Sequence, residues 1–75
     1  MKYKKINQIL VAPKHPIYIY DIKFDIVGIA SQSEMLEVRG IIKINNKEYF
    51  VGTHKRKMTL INKLDVIFLK TGENL

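Results

Sequence analysis

The densest group of charges in the chain is a basic run, HKRK, at residues 54–57. Three more cations precede it on segments that we predict to be adjacent strands, and Phe50 stands among them. Cations at this density neutralise phosphates and release counterions, and an aromatic ring can stack on a base. The sequence therefore predicts a surface that binds DNA or RNA with little sequence specificity. Its candidate residues are Arg39, Lys43, Lys47, Phe50, His54, Lys55, Arg56 and Lys57.

The overall charge agrees with such a partner. The chain has 13 lysines and arginines against 7 acidic residues, which is a formal net charge of +6 over 75 residues. A surplus of this kind favours polyanions, a class that includes nucleic acids, anionic membrane surfaces and acidic proteins. No apolar run reaches the roughly 18 residues of a membrane-spanning helix, and residues 9–12 are too short for the apolar region of a signal peptide. We therefore expect no membrane partner.

Residues for catalysis or metal binding are sparse. Asp21 and Asp25 are the closest acidic pair within a predicted element, but on a strand they would stand roughly 13 Å apart, beyond the about 5–9.5 Å of paired glycosidase carboxylates. His15 and His54 are the only histidines, and their spacing is not that of metal ligands. No serine has a neighbouring histidine. We expect no catalytic residues, no metal and no cofactor, and hence no enzyme.

The chain contains no cysteine, which excludes disulfides and thiolate metal sites. A secreted domain of this size usually carries disulfides, so we expect a cytoplasmic protein. A chain of this length forms one domain at most, residues 1–75. It buries only about 60% of its unfolded surface, so we expect association into a homodimer to supply further stability.

The candidate residues must be positioned by regular secondary structure. The longest segment with an alternating pattern is IYIYDIKFDIVGIA at residues 17–30. Aromatic and β-branched residues hold one parity through its middle and charged residues hold the other. This alternation is typical of a strand with one buried face. At about 3.3 Å per residue the strand would be too long for a small flat sheet. We therefore predict a bend at Gly28, where a bulge is sterically easy.

Shorter strands are predicted around this one, at residues 6–12, 36–44 and 47–53. The clearest turn signal is Asn45-Asn46, because asparagine tolerates the positive φ of tight hairpins. Polar residues 31–34 indicate a turn or a short helix. Gly40 has the inner parity of its strand, where a ring such as that of Phe24 or a tyrosine can pack across it.

Residues 58–70 (MTLINKLDVIFLK) fit both a strand and a helix. The consecutive Val66, Ile67 and Phe68 favour a strand over residues 64–69. For residues 58–63 the pattern does not choose between a strand and a helix. The whole pattern predicts a mainly β fold. It is either a small antiparallel sheet or a partly closed five-stranded barrel, SH3-like or OB-like, with one short helix allowed.

A second interpretation is a protein-interaction or inhibitor module, of the kind that phages and mobile elements carry as accessory proteins. Apolar residues on parities that a one-sided sheet exposes support it: Ile17, Ile19, Val27, Ile29, Ile41, Phe50, Ile61, Ile67 and Leu69. Exposed apolar patches mark partner surfaces, and a homodimer could bury them. Salt separates the two interpretations, because phosphate binding weakens steeply with ionic strength.

Overall fold

The computed structural model of the chain describes residues 3–54 and 56–71, which form a seven-stranded antiparallel sheet. The strands are β1 (Lys4–Pro13), β2 (Ile17–Tyr20), β3 (Ile26–Ala30), β4 (Leu36–Ile44), β5 (Lys47–His54), β6 (Lys57–Asn62) and β7 (Val66–Thr71). Their order across the sheet is β3-β2-β6-β5-β4-β1-β7, so β3 and β7 are the edges. The mainly β prediction is confirmed, as an open sheet rather than a five-stranded barrel.

The single long strand predicted over residues 17–30 is wrong, because the chain reverses at residues 21–25 and makes a hairpin of β2 and β3. The Asp21 carboxylate Oδ1 accepts hydrogen bonds from the backbone N–H groups of Lys23 (2.8 Å) and Asp25 (3.0 Å). The Asp21 N–H donates to the Asp25 carbonyl at 2.9 Å. An aspartate that closes a turn through its own side chain interrupts the alternation.

The irregularity predicted at Gly28 is present as a bulge within this hairpin. Ile19 lies opposite Gly28, and Tyr20 lies opposite Ile26, so Val27 is the extra residue of β3. Bulges of this kind increase the local twist of a strand. The bulge therefore bends the edge of the sheet, but the reversal of the chain happens earlier.

The other predicted turns are confirmed. Asn45 and Asn46 have φ values of 51° and 65° and join β4 to β5, as a two-residue hairpin with positive φ at both positions requires. In the turn at residues 31–34, the Ser31 N–H donates to Glu34 Oε1 at 3.1 Å. That turn leads directly into β4 without a helix. Arg56, with φ of 67°, lies in the turn between β5 and β6.

Residues 58–70 divide into two strands joined by a 3-10 turn. The strand alternative holds for β6, and the predicted strand at 64–69 begins two residues later, at Val66. The Asn62 side chain Oδ1 accepts from the Leu64 N–H at 3.0 Å and starts the turn at Lys63–Asp65. In β6, Leu60 and Ile61 are both buried. Both sides of this central strand are therefore covered.

The core lies on one side of the sheet and draws on all seven strands. Its buried members are Ile9, Val11, Ile17, Ile19, Ala30, Val38, Phe50, Ile61 and Val66. Because the edge strands β3 and β7 both contribute, the sheet curls around these side chains. Backbone and side-chain bonds tie the loops together: the Lys14 N–H donates to the Asp65 carbonyl at 2.9 Å, and Gln32 Nε2 donates to the Lys14 carbonyl at 3.0 Å. We call the opposite side of the sheet the outer face.

Candidate nucleic-acid interface

Phe50, the predicted stacking residue, faces the core. Its side chain is 7% exposed, and it lies opposite Ile41 in β4 and Ile61 in β6. A ring in this position cannot stack on a base. Phe50 is therefore removed from the predicted site and belongs to the residues that hold the sheet together.

A β-bulge in β4 explains why the direction of Phe50 was not evident from alternation. Val38 is opposite Gly52, whereas Gly40 is opposite Val51, so Arg39 is the extra residue. Val38 is in the core, and Gly40, two residues later, lies on the outer face with Val51. A slip of one residue turns every later side chain over, so the single inner parity predicted for β4 is wrong beyond Arg39.

The outer face of the central strands carries Lys47, Tyr49, Val51 and Thr53 on β5 and Met58, Leu60 and Asn62 on β6. Directly opposite residues share a face, which places Tyr20 here as the partner of Leu60. Lys5 is the partner of Gly40 and adds a cation that sequence reasoning did not single out. Both Val51 and Leu60 are buried, so the outer face is itself partly covered by side chains.

Tyr3 forms part of that cover by packing across Gly40. A Cβ atom at Gly40 would come within 2.6 Å of Tyr3 Cε2 and 3.2 Å of Val51 Cβ. The missing side chain is what lets the ring lie against the strand. A ring over this glycine was predicted; it belongs to Tyr3, and it lies on the outer face rather than the inner one.

One end of the outer face is an open groove of about 770 Å³, which we call the arginine groove. Its lining includes Tyr3, Glu37, Arg39, Thr53, Arg56 and Met58. Two predicted site residues, Arg39 and Arg56, thus come together. Arg39 is engaged by a carboxylate: its Nη2 and Nε lie 2.6 and 3.0 Å from Glu37 Oε1. Arg56 carries its charge on the tip of the turn between β5 and β6.

The other end of the outer face is a second open groove, of about 520 Å³, which we call the aromatic groove. Its rings are those of Tyr18, Tyr20, Phe24 and Tyr49, and Lys47 lies beside them. The ring centroids of Tyr20 and Phe24 are 6.1 Å apart, and those of Phe24 and Tyr49 are 5.4 Å apart in an edge-on contact. Phe24 thus joins the β2–β3 turn to β5 across the intervening β6.

The two grooves lie end to end along β5, with the buried Val51 between their open parts. Lys47 and Tyr49 line the aromatic groove, and Val51 and Thr53 line the arginine groove. These alternate residues point to the same side of the strand, and the span from Lys47 to Thr53 is about 20 Å. We call this line of alternate β5 residues the track. Lys47 and the ring cluster lie at one end of it, and Arg56 and the Tyr3 ring lie in the groove at the other end.

The remaining predicted cations do not join this track. Lys43 is opposite Glu48, on the same side of the sheet as Phe50. Glu48 also accepts a 3.4 Å hydrogen bond from Lys63 Nζ. Lys57 is opposite His54, one step along from the outer-face residue Met58, and therefore points away from that face. The side chain of His54 and all of Lys55 lie outside the described residues.

Sequence reasoning missed the aromatic groove because it assigned Tyr18, Tyr20 and Phe24 to the buried side of one long strand. The signal that would have found it is the DIKFD segment, in which an aspartate can close a turn and leave the ring of Phe24 at its corner. Phe24 has φ of 63°, a left-handed conformation. The turn, rather than strand geometry, sets the direction of this ring.

The described ranges contain no candidate metal site, because no three histidine, aspartate or glutamate side chains in them come together. His15 Nε2 lies 3.9 Å from Asp65 Oδ1 at the rim of the aromatic groove. No helix in residues 3–54 and 56–71 has the length and hydropathy that crossing a membrane would take.

Comparison of the chain with protein-family models, with curated proteins and with solved structures finds no match. Function is therefore inferred from the two grooves of the outer face and from the charges around them.

Proposed function

We propose that the chain is a small, non-enzymatic, cytoplasmic protein that binds DNA or RNA with little sequence specificity through its outer face. The observation that supports this most is the placement of Lys47 and Arg56 at opposite ends of one sheet face, with aromatic rings between and beside them. Phosphates bind the cations and release counterions. Low specificity is expected because contacts to phosphates carry no sequence information.

The site residues in this proposal differ from those predicted from the sequence. Arg56 and Lys47 stay, with Lys5 added from the outer face, and Arg39 contributes only when it leaves Glu37. Lys43 and Lys57 point away from the track and serve as its internal comparison. This division allows a test in which equal charge is removed from the two sides of the same sheet.

The test compares two double variants with the parent protein by fluorescence anisotropy. Lys47→Gln with Arg56→Gln removes two cations from the outer face, and Lys43→Gln with Lys57→Gln removes two from the core side. A labelled single-stranded oligomer is titrated from about 50 to 200 mM salt. For the outer-face pair, we expect the slope of log affinity against log salt to shrink by about 1.4, because each lost phosphate contact accounts for about 0.7.

That change makes the ratio of parent to variant affinity fall about 7-fold over this salt range. The core-side pair lowers the net charge equally and should change the slope much less. Equal effects of the two pairs would mean that only total charge matters and that the outer face is not the site. Absence of binding by the parent at about 50 mM salt would exclude nucleic-acid binding itself.

The second candidate function is protein interaction. Fewer apolar residues are available for it than the sequence predicted. Several apolar residues predicted to be exposed are buried in the core: Ile17, Ile19, Phe50 and Ile61. The exposed large apolar residues form two main groups. One lies on the β2–β3 hairpin (Tyr18, Ile22, Phe24, Ile26 and Ile29), and the other lies on the edge strand β7 and the turn before it (Leu64, Ile67, Phe68 and Leu69). An edge strand with apolar side chains can pair with another chain, and a homodimer through β7 is the simplest such pairing.

Mass measurement by sedimentation tests this candidate. Phe68→Lys places a charge on β7, and we expect it to convert a dimeric parent into a monomer without unfolding the sheet, since Phe68 is 58% exposed. A parent that sediments as a monomer at all concentrations used would exclude a homodimer through β7. An acidic protein partner would instead be bound through the cations of the outer face, and its binding should weaken with salt.

A further inference from the structure

We propose that the aromatic groove holds the bases of an unpaired nucleic-acid strand, so that the protein binds single strands in preference to duplexes. This inference rests on the proposed function and adds the class of nucleic acid and the residues that select it. The two rings most open to a ligand are those of Tyr18 and Phe24, which are 52% and 40% exposed. Tyr20 and Tyr49 both contact the ring of Phe24.

The geometry of the rings leaves the cluster open. The Tyr20–Phe24 and Phe24–Tyr49 planes meet at 56° and 65°, so neither pair is stacked in parallel. The Asp21 carboxylate accepts hydrogen bonds from the residues on both sides of Phe24 and so fixes the backbone that carries its ring. A ring fixed in advance loses little conformational freedom when it binds a ligand.

The charges of the two grooves separate bases from phosphates. In the aromatic groove, Lys47 and His15 are accompanied by Asp65, and the His15 ring faces that carboxylate at 3.9 Å. A carboxylate repels phosphates but is compatible with neutral bases. In the arginine groove, Glu37 is occupied by Arg39, and Arg56 makes no ion pair within the described residues. These charges favour bases against the rings and phosphates at Lys47 and Arg56, and not beside the Asp65 carboxylate.

Bases in a duplex are stacked and paired, so they cannot reach rings inside a groove without being unstacked. Single strands present their bases freely, and stacking on an aromatic side chain contributes about 1–3 kcal/mol per base. The track of about 20 Å along β5 suits a short segment, near the lower end of the roughly 4–16 nucleotides that each OB fold covers.

The experiment measures parent binding to three probes of equal length: oligothymidylate, a mixed-sequence duplex, and an abasic deoxyribose-phosphate oligomer that has phosphates but no bases. The variants are Phe24→Leu and Tyr18→Leu, which keep apolar bulk and lose the ring. Phe68→Leu, on the far edge strand, is the matched control for loss of an exposed phenylalanine. Circular dichroism confirms that each variant is folded.

The expected result is tighter binding of oligothymidylate than of either other probe. Phe24→Leu and Tyr18→Leu should each weaken oligothymidylate binding by roughly 5- to 150-fold, the range that corresponds to one stacked base. Their salt slope, their duplex binding and the behaviour of Phe68→Leu should stay at parent values. A shift in salt slope would assign the loss to phosphate contacts and not to stacking.

Two results would overturn the inference while leaving the proposed function intact. One is equal binding of the abasic oligomer and oligothymidylate by the parent. The other is an equal loss of single-strand and duplex binding in the folded ring variants. Binding of none of the three probes at about 50 mM salt would instead remove the proposed function on which the inference depends.

Discussion

Replacement of Phe50 by alanine is expected to lower the free energy of unfolding by about 3–5 kcal/mol, the usual cost of removing a buried phenylalanine ring. The ring is 7% exposed and packs at the centre of the sheet, between strands β4 and β6. At about 0.05–0.15 kcal/mol per residue, a protein of 75 residues has only about 4–11 kcal/mol of stability in total. The substitution should therefore remove a large fraction of the total stability and shift the urea midpoint to a clearly lower concentration.

The measurement is a urea titration followed by circular dichroism and tyrosine fluorescence. Phe68→Ala is the matched control, because it removes the same ring from a position that is 58% exposed. It should change stability by about 0.5 kcal/mol or less, as exposed substitutions usually do. Phe50→Leu keeps most of the volume and should cost less than about 1.5 kcal/mol, with nucleic-acid affinity unchanged.

Equal stability losses for Phe50→Ala and Phe68→Ala would refute the direction assigned to the Phe50 side chain. The position of the bulge at Arg39 would then also be wrong, since that bulge determines which side chains of β4 and β5 face the core. Loss of nucleic-acid binding by a folded Phe50→Leu variant would also contradict that direction, because a ring in the core cannot contact a base.

Three further substitutions test the turn and the outer face. Asp21→Ala should lower the free energy of unfolding by about 1–2 kcal/mol through two lost hydrogen bonds, and Asp21→Asn, which keeps an acceptor oxygen, should lose less; equal urea midpoints for the two would contradict this. Gly40→Val should displace the ring of Tyr3 and raise its solvent accessibility, measured by acrylamide quenching or by NMR, and an unmoved ring would disprove the contact. Glu37→Gln should release Arg39 and raise nucleic-acid affinity roughly 1.5- to 5-fold at low salt, given the strength of an exposed ion pair; a decrease would show that Arg39 acts only when held by Glu37.

The class of fold and the positions of several of its turns could be predicted from the sequence alone. The extent of β4, the Asn45-Asn46 turn and the turn at residues 31–34 each follow from a short segment and its own backbone preferences. Local signals of this kind survive folding because neighbouring strands do not alter them. The basic surplus of the chain likewise follows from its composition, whatever fold the chain adopts.

The tertiary structure decided which side chains share a face. The bulge at Arg39 sends Phe50 into the core, and the turn closed by Asp21 brings Phe24 beside Tyr49. Alternation repeats every two residues, so one extra residue or one early turn reverses the face of everything after it. The place of Lys5 beside Gly40 likewise depends on the register of β1 against β4, two strands that are distant in the chain.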